Sequence, residues 1–123
     1  MKEGLINKTI EYLDQHRHGA LATIREDGTP QASTVSYVSK GLDIYFMTDP
    51  GSQKAKNMAF NPNVAFAISD DFLDWDRIVA VQLAGKAAWV EDKDELSKTQ
   101  ALFAEKFPQI ISGETSLRTG LGS

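Results

Sequence analysis

Ser52, Gln53 and Lys54 stand together in "TDPGSQKAKN", residues 48–57, where an apolar, strand-like run gives way to a short helix. A helix N-terminus carries partial positive charge and unpaired backbone N–H groups, and it therefore favours Asp or Glu in its first turn. Ser52 has the chemistry of an N-cap. The turn it opens nevertheless offers Gln53, Lys54 and Lys56 and no acid. That choice costs a few tenths to about 1 kcal/mol unless an anion sits there. The hydroxyls of Thr48 and Ser52, the Lys54 ammonium and the backbone N–H groups can converge on one point, which is how helix starts bind phosphate. The competing reading is a solvated helix whose lysines pair with Asp49 or with nothing.

Other chemistry is sparser. His16 and His18 fit a surface pair at a helix end, favourable to the C-terminal dipole, and no third ligand nearby completes a metal site. Asp70, Asp71, Asp74 and Asp76 are interleaved with aromatics and lack calcium-loop spacing, so they read as a solvated loop. Trp75 in that loop is a candidate cover for a ligand or a loop anchor, and Trp89 a packing or interface residue. Nothing in the order of Ser, His and Asp, or in paired carboxylates, supports hydrolase chemistry.

The elements that position these residues follow from periodicity. Ile6, Ile10 and Leu13 fall at helical spacing over residues 3–16, with Gly19 beyond as the expected stop. "ALATI" reads as a strand, Asp27-Gly28 as a hairpin turn, and "QASTVSYVS" as a strand of small and β-branched residues that either packs tightly or leaves room for something flat. "LDIYFMT" alternates at period two before the helix at 52–60, which must stop near Asn61-Pro62. "VAFAIS" is a buried strand. "IVAVQLAGKAAWVE" is long enough for one strand bent at Gly85. Asp92 and Glu95 form a capping pair for a last helix bearing Leu96, Phe103 and Phe107. Residues 112–123 are rich in Gly, Ser and Thr and read as a tail. Five strands, three helices and hairpin connections predict an α+β chain, mainly β, built on a small barrel.

Bulk composition sets the outer bounds. A chain of 123 residues is one domain's worth, without internal repeats or a dividing linker. The net charge of −4, with scattered basic residues, argues against nucleic acid. There is no cysteine, hence no disulfide, thiolate nucleophile or cysteine zinc site. No apolar run reaches membrane-spanning length and residues 1–18 are too polar for a signal peptide, so a cytoplasmic protein is expected.

The ordered set "HGALATIREDGTPQASTVSYV", "LDIYFMTDPGSQKAKNMAFNPNVAFAI" and "VQLAGKAAWVEDKDEL" resembles the pyridoxamine 5′-phosphate oxidase-like, FMN-binding split-barrel family over residues 18–107. The resemblance rests on the "ALAT" strand, the "DG-x-P" hairpin, "YF-x-T", "GS-x-KA-x-N", "NP-x-V" and "x-G-x-A", in that order. It implies a six-stranded antiparallel split β-barrel with flanking short helices, a homodimer, and one FMN in each cleft between subunits. Lys54 then matches the phosphate lysine, with Ser52, Gln53 and Thr48 beside it. Met47 contributes backbone, and Ser33, Thr34 and Val35 lie along the isoalloxazine. Related split barrels hold the deazaflavin F420 instead, which is one alternative cofactor; haem, held by a binding module, is the other.

The chain also departs from the true pyridoxamine phosphate oxidases. Ala32 and Tyr37 stand where those carry Arg and Lys, Gln53 replaces an Arg, and nothing after Pro108 matches their Trp- and Arg-bearing final segment. The resemblance thus implies a flavin-dependent oxidoreductase acting on another small redox substrate, or a non-catalytic binding module, with no evident C-terminal strand to close the barrel.

Overall fold

In a computed structural model of the chain, residues 3–70, 80–108 and 116–121 are described, the last segment by its backbone. The element order is α1 (Glu3–Gln15), β1 (His18–Ile24), β2 (Pro30–Lys40), β3 (Asp43–Thr48), α2 (Gln53–Phe60), β4 (Asn63–Ser69), β5 (Ala80–Lys86), β6 (Ala88–Trp89), α3 (Lys93–Lys106) and β7 (Ser116–Leu121). All strand pairings are antiparallel, in the order β5-β4-β1-β2-β3-β7-β6.

The two ends of that order belong to one run of chain. Only Ala87 separates β5 from β6, and it is buried with its N–H on the Pro62 carbonyl at 2.8 Å. A sheet whose first and last strands are consecutive halves of one bent strand must curl on itself, and counted so it has six strands. The expected bent strand is therefore present, but it breaks at Ala87 rather than at Gly85, which still pairs with Val64. Its expected first residues, Ile78 and Val79, lie outside the described residues.

The C-terminal run is corrected more strongly. Residues 116–121, read as tail from composition, form β7, which pairs with β3 along one edge and with β6 along the other. The closing strand that the sequence left in doubt is supplied by this Gly- and Thr-bearing segment. Its backbone hydrogen bonds do not depend on side-chain type.

Alternation divides β1 and β4 between two faces, whereas β3, expected to alternate, buries Ile44, Tyr45 and Phe46 in succession because α3 covers its outer side. Leu21 and Thr23 of β1 and Val64, Phe66 and Ile68 of β4 turn inward, while Ala20 and Ala65 are exposed. With Leu13, Val35, Tyr37, Ile44, Phe46, Met58 and Leu83 these apolar side chains fill the barrel. The Tyr37 hydroxyl donates to the Leu13 carbonyl at 2.7 Å, fixing α1 over the open end. A second cluster, Val38, Tyr45, Phe103 and Phe107, packs α3 on the outside of β2 and β3. Gly19 does not end α1, which stops at Gln15; it lies inside β1, where an added Cβ would fall 2.2 Å from Phe66 Cζ. The Asp27-Gly28 hairpin forms as read, with Gly28 at φ 89° and the Thr29 N–H donating to Asp27 Oδ1 at 2.9 Å. No described helix is long and apolar enough to cross a membrane.

Candidate functional site

Ser52 caps α2 as its type demands, its Oγ accepting from the Ala55 N–H at 3.2 Å. Thr48, at the end of β3 and only 5 % exposed, places its Oγ1 2.9 Å from Ser52 Oγ. The intervening Asp49-Pro50-Gly51 is a tight turn. The Asp49 carboxylate accepts from the Gly51 N–H at 2.8 Å, and the Asp49 carbonyl from the Ser52 N–H at 2.9 Å. The acid nearest the helix start is thus used by the turn. Lys54 is half-buried, and neither its ammonium nor that of Lys56 forms a hydrogen bond or ion pair among the described residues. The first turn of α2 holds no acid. Two hydroxyls, a helix N-terminus and an uncommitted ammonium therefore share one corner.

That corner opens on a seam in the sheet. Over Pro30–Ser36, β2 pairs with β1, while its ladder to β3 is confined to Tyr37–Lys40 against Asp43–Phe46. The backbone direction along β2 is set by Tyr37, whose N–H donates to the Arg17 carbonyl on the β1 side at 3.1 Å. Because backbone groups alternate between edges in an antiparallel strand, Val35 and Ser33 also face β1. Thr34 instead turns its N–H and C=O toward the other edge, past the last rung to β3. Of the three residues expected along a flat ligand, Thr34 has its backbone on that edge, Ser33 has a half-buried side chain on the inward face, and the Val35 side chain is packed in the barrel core. Met47 lies one residue beyond that rung, in the segment of β3 that pairs with β7.

A polar chain that residue types alone did not disclose ties the corner to the seam. Gln53 Nε2 donates to Asn57 Oδ1 at 2.8 Å. Asn57 Nδ2 donates to Thr23 Oγ1 and to Gln31 Oε1, both at 3.0 Å. Gln31 Nε2 reaches Ser33 Oγ at 3.4 Å. The available signal was an Asn in the interior of a helix, where propensity disfavours it.

The histidines lie elsewhere. His16 Nδ1 is 2.7 Å from the Tyr12 carbonyl and Nε2 2.7 Å from Asp70 Oδ1, with the Tyr12 ring stacked on the imidazole. The Tyr12 hydroxyl donates to Asp70 Oδ2 at 2.9 Å. The hydrogen bonds from His16 and then Tyr12 hold the Asp70 carboxyl below its ordinary range. Burial, and then the Asp70 bond, push the Tyr12 hydroxyl up to about 12. This cluster fastens α1 to the end of β4, in place of the solvated pair expected. His18 is exposed on β1, and Trp89 is half-buried. Trp75, Asp71, Asp74 and Asp76 lie outside the described residues. A cavity of about 580 Å³ lies against α3, lined by Tyr45, Asp43 and Glu95 among others, and is separate from the α2 corner.

A closed antiparallel sheet with a seam beside a helix start defines a split barrel. Residues 6–119 match the family described as pyridoxamine 5′-phosphate oxidase, and the chain belongs to that family. None of the curated proteins matches it. Among solved structures it is similar to the conserved hypothetical protein Rv2991 of Mycobacterium tuberculosis, with 24 % identity and a TM-score of 0.80 over 100 % of this chain and 82 % of that one. HutZ, the heme storage protein of Vibrio cholerae, is 19 % identical with a TM-score of 0.77, over 98 % and 89 % of the two chains. The FAD binding protein of Mycobacterium smegmatis is 19 % identical with a TM-score of 0.71, over 95 % and 87 %. At these identities the likeness is one of fold.

Proposed function

We propose that the chain binds FMN, with the phosphate at the α2 N-terminus and the ring along the β2–β3 seam, and acts as a flavin-dependent oxidoreductase. The observation that carries this reading is the acid-free first turn of α2, whose Lys54 is uncommitted, opening onto a strand edge where the ladder has stopped. The residues fit the group. Lys54, Ser52, Thr48 and the first N–H groups of α2 would hold the phosphate dianion through charge-assisted bonds. Thr34 and Met47 would offer backbone to the ring and Ser33 its side chain, while the Val35 side chain stays packed in the barrel. Bound flavin supplies hydride and single-electron transfer between a donor and an acceptor. The chain's part is to bind and orient it, and no residue is assigned as acid, base or nucleophile. Pyridoxamine phosphate is not the substrate on this reading, because Ala32, Tyr37 and Gln53 replace the cationic groups expected for it.

The proposal includes a homodimer with each cofactor between subunits. In support, registered residues Ala84, Ala65, Ala22 and Ala32 form one row across four strands on the outside of the sheet. All but Ala22 are exposed. Such a flat, small-residue face lets a second sheet or subunit approach closely.

A second reading, a haem-binding module, is favoured by the likeness to HutZ. It would need His18 as ligand, since both nitrogens of His16 are already engaged. The absorption spectrum of freshly purified protein, with mass analysis of what denaturation releases, separates the two. FMN that is bleached by a reductant and recoloured by an acceptor supports the first reading. A porphyrin replaces it with the second, and a flavin that no donor reduces leaves a binding module.

A further inference from the structure

Asn57 is only 2 % exposed, inside a helix, and all three of its amide contacts go to other elements or to the helix start. Burying an amide is tolerable only when its hydrogen bonds are made. Here one side chain touches Gln53 at the start of α2, Thr23 on β1 and Gln31 on β2. The direction of these bonds is the informative part. Asn and Gln amides keep their shape when turned end for end, so a chain of them has no polarity of its own. Arg25 supplies it. Its Nε can only donate, and it lies 3.3 Å from Gln31 Oε1. The atom beside Arg25 and Asn57 is therefore the Gln31 oxygen, and the Gln31 amide nitrogen faces Ser33. Asn57 must then present nitrogen to Gln31 and oxygen to Gln53. Ser33 Oγ, accepting a hydrogen bond from the Gln31 amide, keeps its own hydroxyl hydrogen for another partner.

We propose that Asn57 is the positioning residue of the cofactor site, coupling its phosphate end, through Gln53, to its ring end, through Gln31 and Ser33, with the Ser33 hydroxyl left to donate to an acceptor atom of the ring. The proposal rests on the FMN reading above. A ligand that holds both ends at once needs α2 and β2 in register, whereas a ligand that holds only the ring does not. Riboflavin, which lacks the phosphate, is the one-ended probe.

The test is fluorescence titration of FMN and riboflavin against wild type, Asn57→Ala, Gln31→Met and Ser33→Ala, each with its melting temperature. Gln31 is half-buried, so Gln31→Met cuts the link without emptying the core; it decides the matter if Asn57→Ala does not fold. The expected result is that the preference for FMN over riboflavin falls about tenfold in Asn57→Ala and Gln31→Met, the worth of one or two hydrogen bonds. Ser33→Ala should weaken both ligands by a similar factor. A fold-loosening role predicts instead that both ligands weaken equally in Asn57→Ala and Gln31→Met, and that result overturns the coupling. Unchanged binding of both ligands by Ser33→Ala overturns the donor role of its hydroxyl. Wild type that binds neither flavin overturns the FMN reading itself.

Discussion

Lys54 brings a charge into a helix turn that would better hold an acid, and the α2 corner gives it no partner among the described residues. On the proposed reading its partner is phosphate. Lys54→Ala should then cost FMN affinity roughly 1.5–3 kcal/mol, the range of a charge-assisted hydrogen bond. Riboflavin affinity should stay nearly constant, and calorimetric titration reads both. Lys106 gives a residue-scale prediction independent of any ligand. Its Nζ sits 4.2 Å from the Tyr37 ring centroid, and desolvation lowers it to about 8 despite the opposing field of Asp14. The folded state thus binds fewer protons at this site than the unfolded chain between pH 8 and the ordinary lysine value. Stability from this group should rise with pH across that window. Denaturant titrations of wild type should show that rise and Lys106→Met should lack it; parallel curves would contradict the assignment. The placing of Thr48, Ser52 and Lys54 at one helix start was legible in the sequence because type and position together define such a start. Asn57 was not, because its role exists only where α2, β1 and β2 meet.

Among the elements, β1 is set by Gly19 as much as by its apolar residues. Phe66 occupies the space a Cβ would need, so Gly19→Ala must push the ring or the strand aside. An overpacked core typically loses about 1–3 kcal/mol. A thermal melt should fall accordingly, and a change under about 0.5 kcal/mol, the size of an ordinary surface substitution, would contradict the packing. The positions of most strands and the β1–β2 hairpin were readable from apolar patterning and the Asp27-Gly28 turn. Two elements were misread for physical reasons. β7 carries too little apolar pattern to announce itself, since it is held by backbone pairing to β3 and β6. The bend in the β5–β6 strand was assigned to Gly85 on glycine's freedom, yet Ala87 makes it with an N–H bonded to Pro62. Half of the expected Asp92–Glu95 pair formed. The Glu95 N–H donates to Asp92, but the Glu95 carboxylate is taken by the Tyr45 hydroxyl at 2.8 Å, a partner distant in sequence.

At the scale of the whole molecule, the barrel closes on itself and leaves a seam at one edge and an alanine-lined face outside. On the proposed reading the seam would give a flat ligand one wall and a second subunit the other. Sedimentation equilibrium at micromolar concentration should therefore find a species of twice 13.5 kDa. A monomer that still holds flavin would remove the interface site while leaving the α2 corner intact. The central claim is that this corner exists to hold phosphate, and paired calorimetric titrations of the wild-type protein with FMN and with riboflavin test it most directly. The account predicts FMN binding tighter by at least about tenfold, the worth of one charge-assisted contact. Equal affinity for the two ligands would contradict it.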